Sequence, residues 1–309
     1  MRGSMSISLG RRSVLRAAAV VPALGLPLSV RAGNRTAIVA TFSILQDLVV
    51  QVAGPQARVA SLVGTNGDTH AYQATPVDAQ AVSRAALLVS NGLGFETWLP
   101  RLMGAAKFAG RHVVASEGIV PMLRASASGG ANNLPDPHCW HDVANARRYV
   151  ANIAAGLAIV DAADAPLFRE QALLADERLA ALDSWIRAQI ARIAPDKRRV
   201  ITSHDAFGYF GRAYGIQIIA LQGMDHHREP TPREMAAIIK RARDLGIRAL
   251  FFEHLGNPRL TEQIAHDAGA VVGPALYADA LSPPSGPAST YDALMRHNVA
   301  ALVAGMLSN

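Results

Sequence analysis

The chain has 309 residues, half of them hydrophobic and 17% charged, with 30 Lys and Arg against 24 Asp and Glu, ten histidines and one cysteine. A single cysteine excludes an intrachain disulfide, and the length is ample for one large or two medium domains with real cores. Five basic residues (Arg2, Arg11, Arg12, Arg16, Arg31) fall in residues 1–32, which hold no acid, so 25 remain against 24 acidic ones, a net charge of +1 that gives nucleic-acid binding no support.

Residues 1–32 read as an address rather than as part of a fold. Arg11-Arg12 precede Ser13-Val14-Leu15, an apolar run follows from Ala17 to Val30, and Val30-Arg31-Ala32 offers a small-residue cleavage site. A membrane span needs about 20 apolar residues, more than this run has. Paired arginines fit twin-arginine export, in which the protein crosses already folded; a Sec signal that happens to hold two arginines is the alternative. With no cysteine in the segment, a lipid anchor is not expected, and the expected location is the periplasm, as a soluble protein.

From residue 33 the pattern alternates between buried-strand runs and amphipathic segments. Strands are predicted at Thr36–Phe42, Val59–Val63, Leu87–Asn91 and His112–Ser116, with helices at Ile44–Val52 and Val77–Ala86. A Ser/Gly/Asn-rich loop, Ala125–Pro135, leads to a polar stretch, and a helix follows from Asn145 to Val160. The longest helical pattern runs from Ala165 to about Ala194, after the capping candidate Asp164, with Leu167, Leu174, Leu182 and Ile186 as its apolar stripe. About 30 helical residues reach roughly 45 Å, the length of a small domain, which suits a strut between two domains. Strands then return at Arg198–Ser203, Ile216–Leu221, Ala249–Glu253 and Ala270–Ala275, with helices at Ala206–Tyr214, Pro232–Asp244, Pro258–Ala268 and Thr290–Met306. The predicted architecture is α/β: two similar lobes with parallel sheets, residues 33–163 and 195–309, joined by one long backbone helix at 164–194.

The polar stretch, Asp136-Pro137-His138-Cys139-Trp140-His141-Asp142, puts two imidazoles, a thiol and two carboxylates into seven residues. Those are metal donor types, but an i, i+3 histidine pair without a CxxC or HExxH partner is not a complete site. A polar loop whose histidines merely hydrogen-bond remains the alternative. Open parallel sheets bind ligands beyond the carboxyl ends of their strands. His70 lies in the loop after the second strand, His204 directly follows the strand at Arg198–Ser203, and Asp279 follows the strand at Ala270–Ala275. These are the positions from which a cleft site would draw further donors.

Four motifs occur in order: Asp68-Thr69-His70-Ala71-Tyr72, Asp136-Pro137-His138-Cys139-Trp140, His204-Asp205-Ala206-Phe207-Gly208-Tyr209-Phe210 and Asp279-Ala280-Leu281-Ser282. Together they resemble the marks of the periplasmic metal-binding subunits of ABC-type zinc and manganese importers, the cluster A-I or ZnuA/TroA-like family, and among its members the zinc-binding AztC type. The resemblance runs from about residue 36 to the C-terminus. It implies two α/β lobes on a rigid helix with the metal in the cleft between them, and metal-ligand roles for His70, His138, His204 and Asp279. It also implies Zn(II) as bound cargo, with Mn(II) or another divalent metal as the alternative. Its partners would be an ABC permease with a cytoplasmic ATPase and, further, a periplasmic zinc chaperone, with the carrier itself a monomer. Thr69 stands where proline is frequent in the family, and the long His/Asp-rich loop of zinc importers is missing between His70 and His138. Asp225-His226-His227 is the remaining local cluster, read either as a flap that captures metal or holds a second ion, or as a solvated turn before Pro230 and Pro232.

Three neutral imidazoles and a carboxylate form a compact, borderline-soft set suited to tetrahedral zinc, whereas manganese generally wants more oxygen. Asp68, Asp136 and Asp205 are candidates to hold the second nitrogens of the imidazoles. Cys139 reads as a small buried hydrophobe, His141 as an outer partner or surface residue, Glu253-His254 as an outer support or part of the lining, and His112, His266 and His297 as ordinary. Trp98, Trp140 and Trp185 are expected to pack at element junctions. The functional alternative is a periplasmic zinc hydrolase with Asp279 as base, but no HExxH or nucleophile elbow supports an enzyme.

Overall fold

The computed structural model describes residues 36–54, 57–124, 134–221, 231–255 and 258–309; the address segment at 1–32 and the cluster at 225–227 lie outside them. The first lobe is built on a parallel sheet of β1 (Thr36–Phe42), β2 (Ala57–Val63), β3 (Leu87–Ser90) and β4 (Arg111–Val114), in the order β2-β1-β3-β4. Its crossovers are α1 (Ser43–Ala53), α2 (Pro76–Arg84) and α3 (Leu99–Ala105). A two-residue antiparallel pair, β5 (Leu123–Arg124) and β6 (Leu134–Pro135), leads through a short 3-10 turn at Cys139–His141 into α4 (Val143–Val160). Helix α5 (Ala165–Ala191) follows, 27 residues and about 40 Å long.

The second lobe repeats the plan with β7 (Arg199–Thr202), β8 (Gln217–Ala220), β9 (Ala249–Phe251) and β10 (Val271–Val272), connected by α6 (Gly208–Tyr214), α7 (Pro232–Asp244) and α8 (Pro258–Ala268) and closed by α9 (Tyr291–Leu307). Its sheet order, β10-β9-β7-β8, matches that of the first: the opening strand sits between the second and third strands. In each lobe the chain therefore reverses direction across the sheet beside its first strand, the position where open parallel sheets leave a crevice.

Strand residues divide between cores with period two, as alternating side chains must. Ile38, Ala40 and Phe42 of β1 join one large core while Val39 joins a separate one with Val82, Leu99 and Leu102 from α2 and α3. In the second sheet Val200, Ala249 and Phe251 join that same large core, whereas Ile201 and Leu250 face Ala242 and Ile264 from α7 and α8. The inner faces of both sheets thus share one core with α1, α4, α5 and α9, and each outer face has its own. On α4, a Cβ at Gly156 would come within 2.4 Å of Val113 Cγ2, so a glycine is what lets that helix lie against β4.

Helices α2 and α7 start alike: Thr75 and Thr231 cap helices whose next residue is proline, and Asp78 and Glu234 complete a reciprocal capping box. Helix α3 and the β5–β6 pair were not predicted. Pro100 and a glycine interrupt the helical pattern of the first, and two-residue strands leave no periodicity to read. The stripe of α5 also differs from expectation. Leu182 and Ile186 are buried as expected, but the rest of the buried face is Ala165, Phe168, Ala175, Leu179 and Ile190, while Leu174 is 41% exposed. Spacing alone admits either phase over the first turns, and the neighbours α1 and α4 select one of them. We expect Leu182→Ala to cost about 2–5 kcal/mol in urea unfolding and Leu174→Ala less than about 0.5 kcal/mol; equal losses would show that the helix is rotated from the described packing.

Candidate metal centre

Four loops at the carboxyl ends of the sheets deliver one donor each. After β2, Asp68 Oδ1 accepts the backbone N–H groups of His70 (2.8 Å) and Ala71 (3.2 Å), an Asx turn that shapes the loop. The Thr69 carbonyl accepts the Trp98 indole at 3.0 Å, fixing the loop from its other side. In the polar stretch, Asp136 Oδ1 takes both the backbone N–H (3.0 Å) and ring Nδ1 (2.8 Å) of His138. Asn91, just past β3, donates to the Pro137 carbonyl at 2.9 Å, and the Tyr209 hydroxyl donates to the Asp136 carbonyl at 3.0 Å.

His204 follows β7 and sets its Nδ1 2.7 Å from Glu253 Oε2 at the end of β9, while the Glu253 N–H donates to Ser203 Oγ at 3.1 Å. Asp279 sits in the loop between β10 and α9. Asn298 on α9 bonds both the N–H (2.9 Å) and the carbonyl (2.7 Å) of Tyr277 there.

The four donors meet. His70 Nε2 is 3.3 Å from His138 Nε2, and the two Asp279 oxygens are each 3.5 Å from one of those nitrogens. One donor atom from each of His70, His138, His204 and Asp279 lies within 4.8 Å of all the others. His138, His204 and Asp279 are 2% exposed or less and His70 15%, so solvent meets the cluster at His70. A carboxylate at Nδ1 makes that nitrogen the donor, so His138 and His204 carry their proton on Nδ1 and turn a lone pair on Nε2 inward. Burial pushes the His138 imidazole below its usual range, against the upward pull of Asp279 and Asp136, which favours the neutral, ligand-competent form. Among the described residues this is the one group of three or more such side chains placed to hold a metal ion.

Other sequence expectations divide. Asp136 holds the second nitrogen of His138 as anticipated; for His204 that partner is not the neighbouring Asp205 but Glu253, 49 residues away, which the sequence offered only as an outer support or part of the lining. Asp68 supports the backbone of His70. Cys139 is fully buried with its sulfur 2.9 Å from the Tyr149 hydroxyl, and burial pushes its thiol up to about 12, which disfavours the thiolate a metal would need. His141 is wholly buried, contrary to a surface placement, and stacks on Phe207 at 4.6 Å with no hydrogen-bond partner at either ring nitrogen.

A two-lobed frame whose facing loops converge on three imidazoles and a carboxylate is one that could hold a metal ion between the lobes. The family profile of ZnuA, zinc-uptake complex component A, periplasmic, matches residues 38–305, and the chain belongs to this family of periplasmic metal-binding subunits of ABC-type importers. It is 32% identical over 274 residues to the manganese-binding lipoprotein MntA of Halalkalibacterium halodurans, covering 89% of each chain. It is 30% identical over 268 residues to the iron-binding protein YfeA of Yersinia pestis, covering 87% of this chain and 85% of that one. The periplasmic zinc binding protein TroA from Treponema pallidum matches the fold with a TM-score of 0.80 at 26% identity, over 88% of this chain and 99% of that one. Family and fold are therefore those the motifs implied. No helix among the described residues is long and apolar enough to cross a membrane.

The unpartnered His141 yields a prediction for the metal-free protein. Burial holds its folded-state value down to about 3, against the usual 6.5. The unfolded chain therefore takes up this proton first, and the stability it contributes, complete above pH 6.5, drains away as pH falls toward 3. His141→Leu should raise stability by about 1–3 kcal/mol by removing buried unpaired nitrogens and flatten that acid limb. Denaturant titrations between pH 7 and pH 4 test it, and an unchanged slope would mean that His141 is paired in solution.

Proposed function

We propose that this protein captures a divalent transition metal, zinc foremost, between its lobes through His70, His138, His204 and Asp279, and hands it to the permease of an ABC importer. One observation carries the reading: three imidazoles and one carboxylate, drawn from both lobes, offer donor atoms within 4.8 Å of one another. That donor set matches tetrahedral zinc, with N and O distances of about 2 Å. Residues 33–163 and 195–309 serve as the lobes and 164–194 as the rigid helix between them. Residues 1–32 direct export to the periplasm by the twin-arginine route, and the mature carrier is a soluble monomer that a periplasmic zinc chaperone can load. Capture and release suit a site with four protein donors, whereas a catalytic zinc keeps a position open for water, so we read the centre as a carrier's and not a hydrolase's.

A second reading, a manganese or iron carrier of the same build, is favoured by the likeness to the manganese-binding lipoprotein MntA and the iron-binding protein YfeA. Against it, oxygen is in the minority among the four donors. Competition calorimetry on the protein from Gly33 onward decides between them. Expected are tight one-to-one zinc, weaker manganese, and affinity lower by orders of magnitude in His138→Ala and Asp279→Ala with the fold retained. Manganese binding as tight as zinc would establish the second reading. Zinc affinity untouched by Asp279→Ala, with loss of a hydrolytic activity, would move the site to the enzyme class.

The outer carboxylates should matter as well. Glu253→Gln keeps a hydrogen bond to His204 but removes the charge that makes its imidazole a better donor, and such changes typically weaken metal binding about 10–100-fold. Competition with a chromophoric chelator would detect this, and an affinity within twofold of the parent would assign Glu253 a packing role.

A further inference from the structure

Outside the four donors, the side chain of Trp140 joins the loops that carry His138 and Asp279, one from each lobe. Trp140 lies two residues after His138 and is wholly buried. Its indole Nε1–H donates to the carbonyl of Ala278 at 3.0 Å, and Ala278 immediately precedes Asp279. The Trp140 carbonyl in turn accepts the Tyr291 hydroxyl, at the start of α9, at 2.7 Å. Its ring packs against His138 (5.3 Å between centroids), Phe42 (5.1 Å) and Phe95 (4.9 Å).

We infer that Trp140 is the positioning residue for Asp279: its indole N–H, bonded to the Ala278 carbonyl, ties the Asp279 loop to the His138 loop and sets how closely the carboxylate approaches the imidazoles. This rests on the ligand set proposed above. Asp279 belongs to a long connection, residues 273–290, whose β pairing among the described residues is the single bridge of Leu276 to Glu253, so its place depends on where its backbone is tied. Among the described residues, Leu276, bonded to the Phe252 carbonyl (2.9 Å) and the His254 N–H (3.0 Å), and Asn298 at Tyr277 tie it within the second lobe, while Trp140 at Ala278 and Ser43 Oγ at the Leu281 N–H (2.9 Å) tie it to the first. The Trp140 bond lies next to the carboxylate. It joins groups buried on both sides, so opening it strands an indole N–H and a carbonyl away from water, which is unfavourable for each. With the bond made, the Asp279 oxygens stand 3.5 Å from His70 Nε2 and from His138 Nε2. A carboxylate held there in advance spends little ordering entropy when an ion arrives, and a bound ion is released only as the tie gives way.

Trp140→Phe keeps an aromatic ring in the pocket and deletes the donor. In the mature protein we expect about tenfold weaker zinc binding by chelator competition, the lower end of what outer-shell changes cost, with the loss residing in a faster dissociation rate by stopped flow. In an Asp279→Ala background the same substitution should cost less than about twofold, because the group it positions is gone. A purely structural role would weaken both backgrounds alike, and that result, or no loss in the parent, overturns the inference. Tyr291→Phe, which loosens Trp140 by its carbonyl, should show the same dependence on Asp279 at smaller size and decides the matter if Trp140→Phe does not fold. If Asp279→Ala itself leaves zinc affinity unchanged, the ligand assignment fails and this inference with it; if Asp279→Ala weakens zinc and Trp140→Phe does not, this inference alone fails.

Discussion

Everything in this molecule is arranged around one constraint: four polar side chains from four loops, two in each lobe, must meet within 4.8 Å inside the protein. Convergence of that kind is unfavourable in an empty interior, where imidazole nitrogens and a carboxylate give up water. It is sustained because each participant is held by other bonds. Asp136 and Glu253 take the outward nitrogens of His138 and His204, and burial keeps His138 neutral, so the cluster does not gather positive charge of its own. Three imidazoles facing one carboxylate form a donor set suited to a divalent cation.

Holding loops from two lobes to such a tolerance requires that the lobes have a common base. That base is the single core shared by the inner sheet faces with α1, α4, α5 and α9, through which the long helix contributes residues from Phe168 to Ile190. The outer cores, built on α2 and α3 in one lobe and α7 and α8 in the other, belong to their lobes alone. The loop side belongs to the same shared core through Trp140, Phe207, Ala278 and Leu281, and hydrogen bonds such as Trp140 to Ala278 and Ser43 to Leu281 add to it.

The two sheets share a strand order although the sequence shows no repeat, and this shared topology has a chemical result. In both lobes the reversal beside the first strand leaves room for a loop to dip inward. His204 and Glu253 come from the two strands flanking that point in the second lobe, and in the first Asn91, at the end of β3, holds the peptide that leads into His138.

The sequence by itself determined most of the elements, α3 and the β5–β6 pair excepted, and the candidate donor types. Strand β1 and helices α7 and α8 fall where their apolar periodicity and their proline or threonine starts predict, because those signals are local and carry their own hydrogen bonding. The residues now gathered at the centre were legible as donor types at strand ends and within four motifs, and Asp136 beside His138 was legible because its bond spans two residues. Tertiary structure alone decided the rest. The pairing of His204 with Glu253, the burial of His141, the phase of the α5 stripe and the tie from Trp140 to Ala278 join residues tens to more than a hundred positions apart or depend on which neighbour packs where. A periodicity of two or 3.6 residues says which way a side chain points from its own element; which partner it meets there is set by how the sheets and helices stack.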